Sequence, residues 1–184
     1  MPIETRLRRL FANSATSKLI QSHRKPKTDK VASIHQSKAW SDWYDGTFKS
    51  DDRALALGLS ADGLNPFAKE KNSYSMWPIF LFVLNLPSQM WKKPNSMLLT
   101  GIVPGPGEPK DFDPYIEIVV DEVLSLNGVK VYDGYRNEQF QLQANIILQV
   151  FDYPGQNKVL KCVGEYTTYM SHCMYYDVTA STMA

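Results

Sequence analysis

Leu55-Ala56-Leu57-Gly58-Leu59-Ser60-Ala61-Asp62-Gly63-Leu64-Asn65-Pro66-Phe67 is the stretch on which the reading of this chain turns. Residues 55–61 are all apolar or small, as in a strand covered on both faces. Gly63, Asn65 and Pro66 are turn residues that stop it. Asp62 stands at the junction. Aspartate is a poor strand residue and is rarely buried without a partner. An acid at the carboxyl end of a core strand is therefore either a turn-former or a metal ligand. Residue type alone leaves both open.

Downstream, Ile79-Phe80-Leu81-Phe82-Val83-Leu84 is a continuous apolar run and predicts a central strand ended by Pro87. Pro78 near its start is tolerable only at an edge or a bulge. Met97 to Val103 predicts a third strand, closed by the sharp turn Pro104-Gly105-Pro106-Gly107. Residues 113–127 carry the clearest helix signal. Asp113 suits the N-cap and Pro114 the first helical position, and Ile116, Val119, Val120, Val123 and Leu124 recur at helical spacing. Gly128 is placed to end that helix in the left-handed conformation. Val129 to Asp133 predicts a short strand and Gln141 to Phe151 a stronger one. The latter stops at Asp152-Tyr153-Pro154-Gly155, a second acid at the end of a core strand, again followed by turn residues.

The order strand, strand, strand, helix, strand has a geometric consequence. A helical crossover lets the last strand lie parallel beside the first. Asp62 and Asp152 would then end adjacent parallel strands at one edge. Two carboxylates that close repel unless one is protonated or a cation lies between them. Magnesium, a hard ion held by a few carboxylates, water and phosphate oxygens, answers that demand. Such a pair serves phosphodiester chemistry, in which metal activates the attacking oxygen and stabilises the leaving one. The bland alternative is two turn-forming aspartates.

Upstream, the chain is polar and basic. The first fifty residues hold ten Lys and Arg against four Asp and Glu, in a chain of 184 residues with net charge +1. Leu7, Leu10 and Phe11 lie among Arg6, Arg8 and Arg9, the pattern of a short basic amphipathic helix. That helix is either a phosphate-contacting arm or a helix docked on the core. Trp40, Trp43, Tyr44 and Phe48 form an aromatic cluster, read first as a helix docking on the core and second as a base-stacking surface. His23 and His35 lack metal-ligand partners at a recognisable spacing and are read as surface residues. Cys162 and Cys173, the only cysteines, give no disulfide framework. Met1 to Leu10 is no signal peptide, and the longest apolar run is too short for a bilayer span. A secreted or membrane protein is not expected.

Taken in order, several blocks resemble the CACTA (En/Spm-type) DNA transposases. They are Pro2 to Phe11 with Thr16, Leu57 to Phe67, Ser73-Tyr74-Ser75-Met76-Trp77-Pro78, Asn85-Leu86-Pro87, Leu98 to Pro106, Asp152-Tyr153-Pro154-Gly155 and Lys161-Cys162-Val163-Gly164. The similarity runs from residue 2 to about 178, and its strength lies in the order and spacing of the blocks. It implies an α/β, ribonuclease-H-like mixed sheet and a cut-and-paste transposase with an acidic triad. Asp62 matches the first catalytic aspartate and Asp152 the second, both as Mg2+ ligands. The glutamate of a later helix has no counterpart before Ala184. The expectation is a fragment truncated within the catalytic domain and inactive alone. The alternative is a non-catalytic, transposon-derived DNA-binding or interaction protein. Where the family has Cys-x-x-Cys, this chain reads Cys173-Met174-Tyr175-Tyr176, which argues against a zinc site.

The division expected is a basic, partly helical segment over 1–50, a partial ribonuclease-H-like domain over 51–178 and a tail over 179–184. Missing final helices would leave part of the sheet open. The partners expected are therefore DNA and either a further copy or a further portion of chain, with no membrane and no small-molecule substrate. Nuclear localisation follows from the family, with weak support from Arg24-Lys25-Pro26-Lys27.

Overall fold

The protein is described from a computed structural model, which places residues 2–22, 33–67, 74–94, 96–107, 109 and 111–151. Its helices are α1 (Ile3–Ala12), α2 (Ser14–Gln21), α3 (Lys38–Trp43) and α4 (Asp113–Ser125). Its strands are β1 (Leu55–Ala61), β2 (Trp77–Val83), β3 (Met97–Val103), β4 (Lys130–Asp133), β5 (Glu138–Gln141) and β6 (Ala144–Val150). Four strands form one mixed sheet in the order β3-β2-β1-β6. β2 is antiparallel to β1 and to β3, and β6 is parallel to β1. The helical crossover expected from the sequence thus delivers β6 to the side of β1. Pro78 pairs with Ile102 of β3, while on the β1 side the ladder stops at Ala61↔Ile79, so its missing N–H interrupts no β1 pairing.

Alternation along β1 sorts the core into two layers. Leu55, Leu57, Leu59 and Ala61 face one layer, built with Ile3, Leu7, Leu10 and Phe11 of α1 and Val119 and Val123 of α4. Ala54 and Ala56 face the other, under Trp40, Trp43 and Phe48. The first layer explains α1. Its apolar residues recur at i, i+4, i+7 and i+8, all buried, so the basic helix docks on the core. Asn13 breaks it from α2, its side chain accepting a hydrogen bond from the Thr16 N–H at 3.0 Å. At the other end, Glu122 of α4 accepts the Ile3 N–H at 2.6 Å, an acid meeting a helix N-terminus. The second layer confirms the docking reading of the aromatics. It also corrects His35, which is half-buried, sits edge-on to Trp40 at 4.5 Å and bonds the Leu84 carbonyl through Nε2 at 2.8 Å.

Asn85 acts as a short piece of extra strand. Its Oδ1 accepts the Ala56 N–H at 2.8 Å and its Nδ2 donates to the Ala54 carbonyl at 3.0 Å, all in the interior. Asn85→Leu removes both partners of two buried backbone groups. The expected cost is about 2–4 kcal/mol, read as a lowered urea midpoint. An unchanged midpoint would mean that Asn85 does not hold this end of β1.

Three expectations are corrected in the second half of the chain. The run read as one strand from Gln141 is two elements: Gln141 closes β5, and β6 starts at Ala144. β4 and β5 pair with each other as a separate hairpin, with only Phe140 of β5 turned inward. At α4 the N-cap position is Phe112 rather than Asp113, and the Asp113 N–H is met by Asp111 Oδ1 at 3.2 Å. Leu124 lies 46% exposed, because the buried stripe follows Val119, Val123 and Leu126 and the next residue after Val123 turns away. Gly128 does take the left-handed conformation expected, with φ +87°.

Candidate functional site

Asp62 follows the last residue of β1 directly and is exposed at the end of the sheet. β1 and β6 run in the same direction with a bulge after Leu57, and their register closes on Leu59↔Gln149 and Ser60↔Val150. Asp152 lies outside the described residues. Each aspartate stands two positions beyond the Ser60↔Val150 pair in its own segment. Among the described residues, no group of three or more His, Cys, Asp and Glu side chains is placed to hold a metal ion. His23, Cys162, Cys173 and the Arg24-Lys25-Pro26-Lys27 run also fall outside the described residues.

The turn after Asp62 is built firmly. Leu64 and Met76 form an antiparallel bridge, with Leu64 N–H to Met76 O at 2.9 Å and Met76 N–H to Leu64 O at 3.0 Å. Asn65 Oδ1 accepts the Phe67 N–H at 2.8 Å, the Asx-turn that Asn before Pro favours. Phe67 meets Tyr74 edge-to-face at 5.5 Å. Beneath, Trp77 packs edge-on against Phe112 at 5.6 Å, joining this end of the sheet to the start of α4. The aromatic pair Phe67 and Tyr74 was not singled out from the sequence. The available signal was an aromatic directly after Asn-Pro, where a turn exposes its side chain.

The basic first helix spends its charge locally. Arg6 donates from Nη1 to the Leu99 carbonyl at 2.8 Å and from Nη2 to the Met97 carbonyl at 3.0 Å, covering the outer edge of β3. Arg8 pairs with Glu4 at 2.7 Å, one helical turn away. Arg9 is exposed and lines a surface cleft of about 660 Å³ with Arg6, Asn13, Thr16 and Pro94. The aromatic cluster of Trp40, Trp43 and Phe48 is buried and offers no ring face for a base.

The far part of the second sheet face is thinly covered. Leu99, Ile102 and Val150 are 40%, 48% and 51% exposed, and their partners Phe80, Pro78 and Ser60 place them on the face opposite Leu57 and Leu59. No helix among the described residues is long and apolar enough to cross a membrane.

Compared with known proteins, residues 30–183 match the family model described as "Transposase family tnp2". No curated protein and no solved structure matches the chain.

Proposed function

From the premise that this chain belongs to the tnp2 transposase family, we propose that Asp62 and Asp152 are the paired carboxylates of a DNA strand-cleavage and strand-transfer site. The observation that carries the reading is the parallel register of β1 and β6, which ends two positions before each aspartate. Neighbouring parallel strands end at one edge, so two acids just past a shared register become neighbours there. The sheet order β3-β2-β1-β6, with one parallel pair beside two antiparallel ones, agrees with a ribonuclease-H-like arrangement. The order and spacing of the resembling blocks support a place in the CACTA (En/Spm-type) branch, and with it a cut-and-paste reaction and action in the nucleus.

The donor type suits magnesium, since carboxylate oxygens are hard ligands. When bound there, Mg2+ would polarise the scissile phosphate and lower the cost of the leaving alkoxide. The aspartates themselves hold and orient that charge. Two carboxylates hold it weakly, and in-line attack on a phosphodiester calls for a third acidic ligand.

The test is a magnesium titration followed by thermal unfolding of the full chain. Magnesium at ten times its dissociation constant should stabilise the protein by about 1.4 kcal/mol. Asp62→Asn and Asp152→Asn should each abolish the shift. A shift of the same size in both variants would assign the ion to other residues and end the reading. The non-catalytic alternative, DNA binding through the basic first fifty residues, draws its support from exposed Arg9 at the cleft rim.

A further inference from the structure

We propose that Phe67 is a stacking platform for a nucleobase that flanks the reacting phosphate; the proposal rests on the reading of Asp62 as a phosphate-directed carboxylate. Phe67 is 53% exposed and its neighbour Leu64 is 41% exposed, in a turn that begins at the candidate site. Apolar side chains on a free turn usually swing. Here the turn is held at three points: the paired Leu64–Met76 bridge, the Asn65 bond to the Phe67 N–H and the ring contact with Tyr74.

The support extends one layer further. Ser75 N–H donates to the Pro106 carbonyl at 3.2 Å. Gly105 passes so close that a Cβ there would lie 2.6 Å from Tyr74 Cζ and 2.7 Å from the Ser75 carbonyl oxygen. Only glycine permits that approach, and it seats Tyr74 behind Phe67.

The contact geometry leaves ring surface for a ligand. Phe67 and Tyr74 meet at an interplanar angle of 77°. In such a pair one ring offers its edge, so Tyr74 covers at most one face of Phe67. A half-exposed flat aromatic face is the element with which proteins bind unpaired bases without reading their sequence. Phenylalanine carries no hydrogen-bonding group, so the platform is indifferent to base identity. Its place sets the substrate. Five residues span at most about 18 Å of extended chain, and the bridged turn shortens that, so Phe67 stands within a few nucleotides of a phosphate at Asp62.

The experiment uses the full chain in EDTA, so its outcome is independent of whether the aspartates hold metal. The probe is a single-stranded oligothymidine carrying 2-aminopurine, whose fluorescence falls on stacking. Binding should quench it. Phe67→Leu keeps the apolar contact with Tyr74 but has no flat face; it should lose the quench and weaken binding by about tenfold, within the range measured for single base-stacking residues. Phe67→Trp should retain both. The melting temperature of the Leu variant should match the parent. Quenching and affinity in Phe67→Leu equal to the parent would overturn the proposal, and so would the absence of any quench in the parent. Either result leaves the magnesium test of Asp62 and Asp152 standing on its own.

Discussion

Trp40→Ala is expected to lower stability by about 3–5 kcal/mol, the usual cost of emptying a buried tryptophan site. That is a large fraction of the 5–15 kcal/mol, roughly, that holds an ordinary domain together. The reason lies in β1. On the face opposite Leu57 and Leu59 this strand offers Ala54, Ala56 and Gly58, which leave room against the sheet. Trp40 is fully buried there, 4.9 Å from the Trp43 ring and 4.5 Å from His35. Small strand residues and a large indole fill one volume together, so alanine at 40 leaves a void that Ala56 is unable to fill. Urea denaturation followed by far-UV circular dichroism should give a clear fall in midpoint with the slope preserved. A variant as stable as the parent would mean that residues 33–50 contribute little to the domain.

That layer was legible in the sequence because four aromatics within nine residues seldom stay in water. The main sheet was legible for a related reason: β1 and β2 are buried along most of their length, with Ser60, Phe80 and Phe82 only partly covered, and read as nearly unbroken apolar runs. β5 was not. Glu138-Gln139-Phe140-Gln141 turns one side chain inward and the rest to solvent, so hydropathy carries little signal. Its surviving mark was the turn before it, where Asn137 adopts φ +57° and Gly134 opens the loop. The Asp62 end was legible as chemistry, since an acid and turn residues interrupt an apolar strand. The braced position of Phe67 was not, because it depends on the Leu64–Met76 bridge, the ring contact with Tyr74 and the close pass of Gly105, none of which leaves a hydropathy signal. Arg6 was ambiguous for the same reason. Arginines in a short amphipathic helix allow either a phosphate contact or docking on the core, and only the fold shows that Arg6 bonds the β3 backbone, 93 and 91 residues away.

Asp133→Ala is expected to cost about 3 kcal/mol or more, because it dismantles the joint between α2 and the β4–β5 hairpin. The Asp133 carboxylate is wholly buried. It accepts from Ser17 Oγ at 2.6 Å, Gln21 Nε2 at 2.8 Å, the Tyr135 N–H at 2.8 Å and the Arg136 N–H at 3.3 Å. Beside it the Gly134 N–H reaches the Phe11 carbonyl at 2.9 Å. Alanine at 133 leaves the buried Ser17 hydroxyl and two part-buried backbone donors without their acceptor. Charge sets the pH dependence. Burial by itself pushes the carboxyl pKa up, but the hydrogen bonds from Ser17, Tyr135, Arg136 and Gln21 outweigh it and hold the group below the ordinary aspartate value. As pH falls, the unfolded chain therefore takes up the proton before the folded one. The stabilisation is complete above the unfolded value of about 4 and is lost as pH drops through the lower folded value. Asp133→Asn keeps an acceptor but cannot titrate. Its stability should fall less steeply than the parent's below about pH 4. Parallel curves for parent and Asn variant across that window would assign the acid sensitivity to other carboxylates.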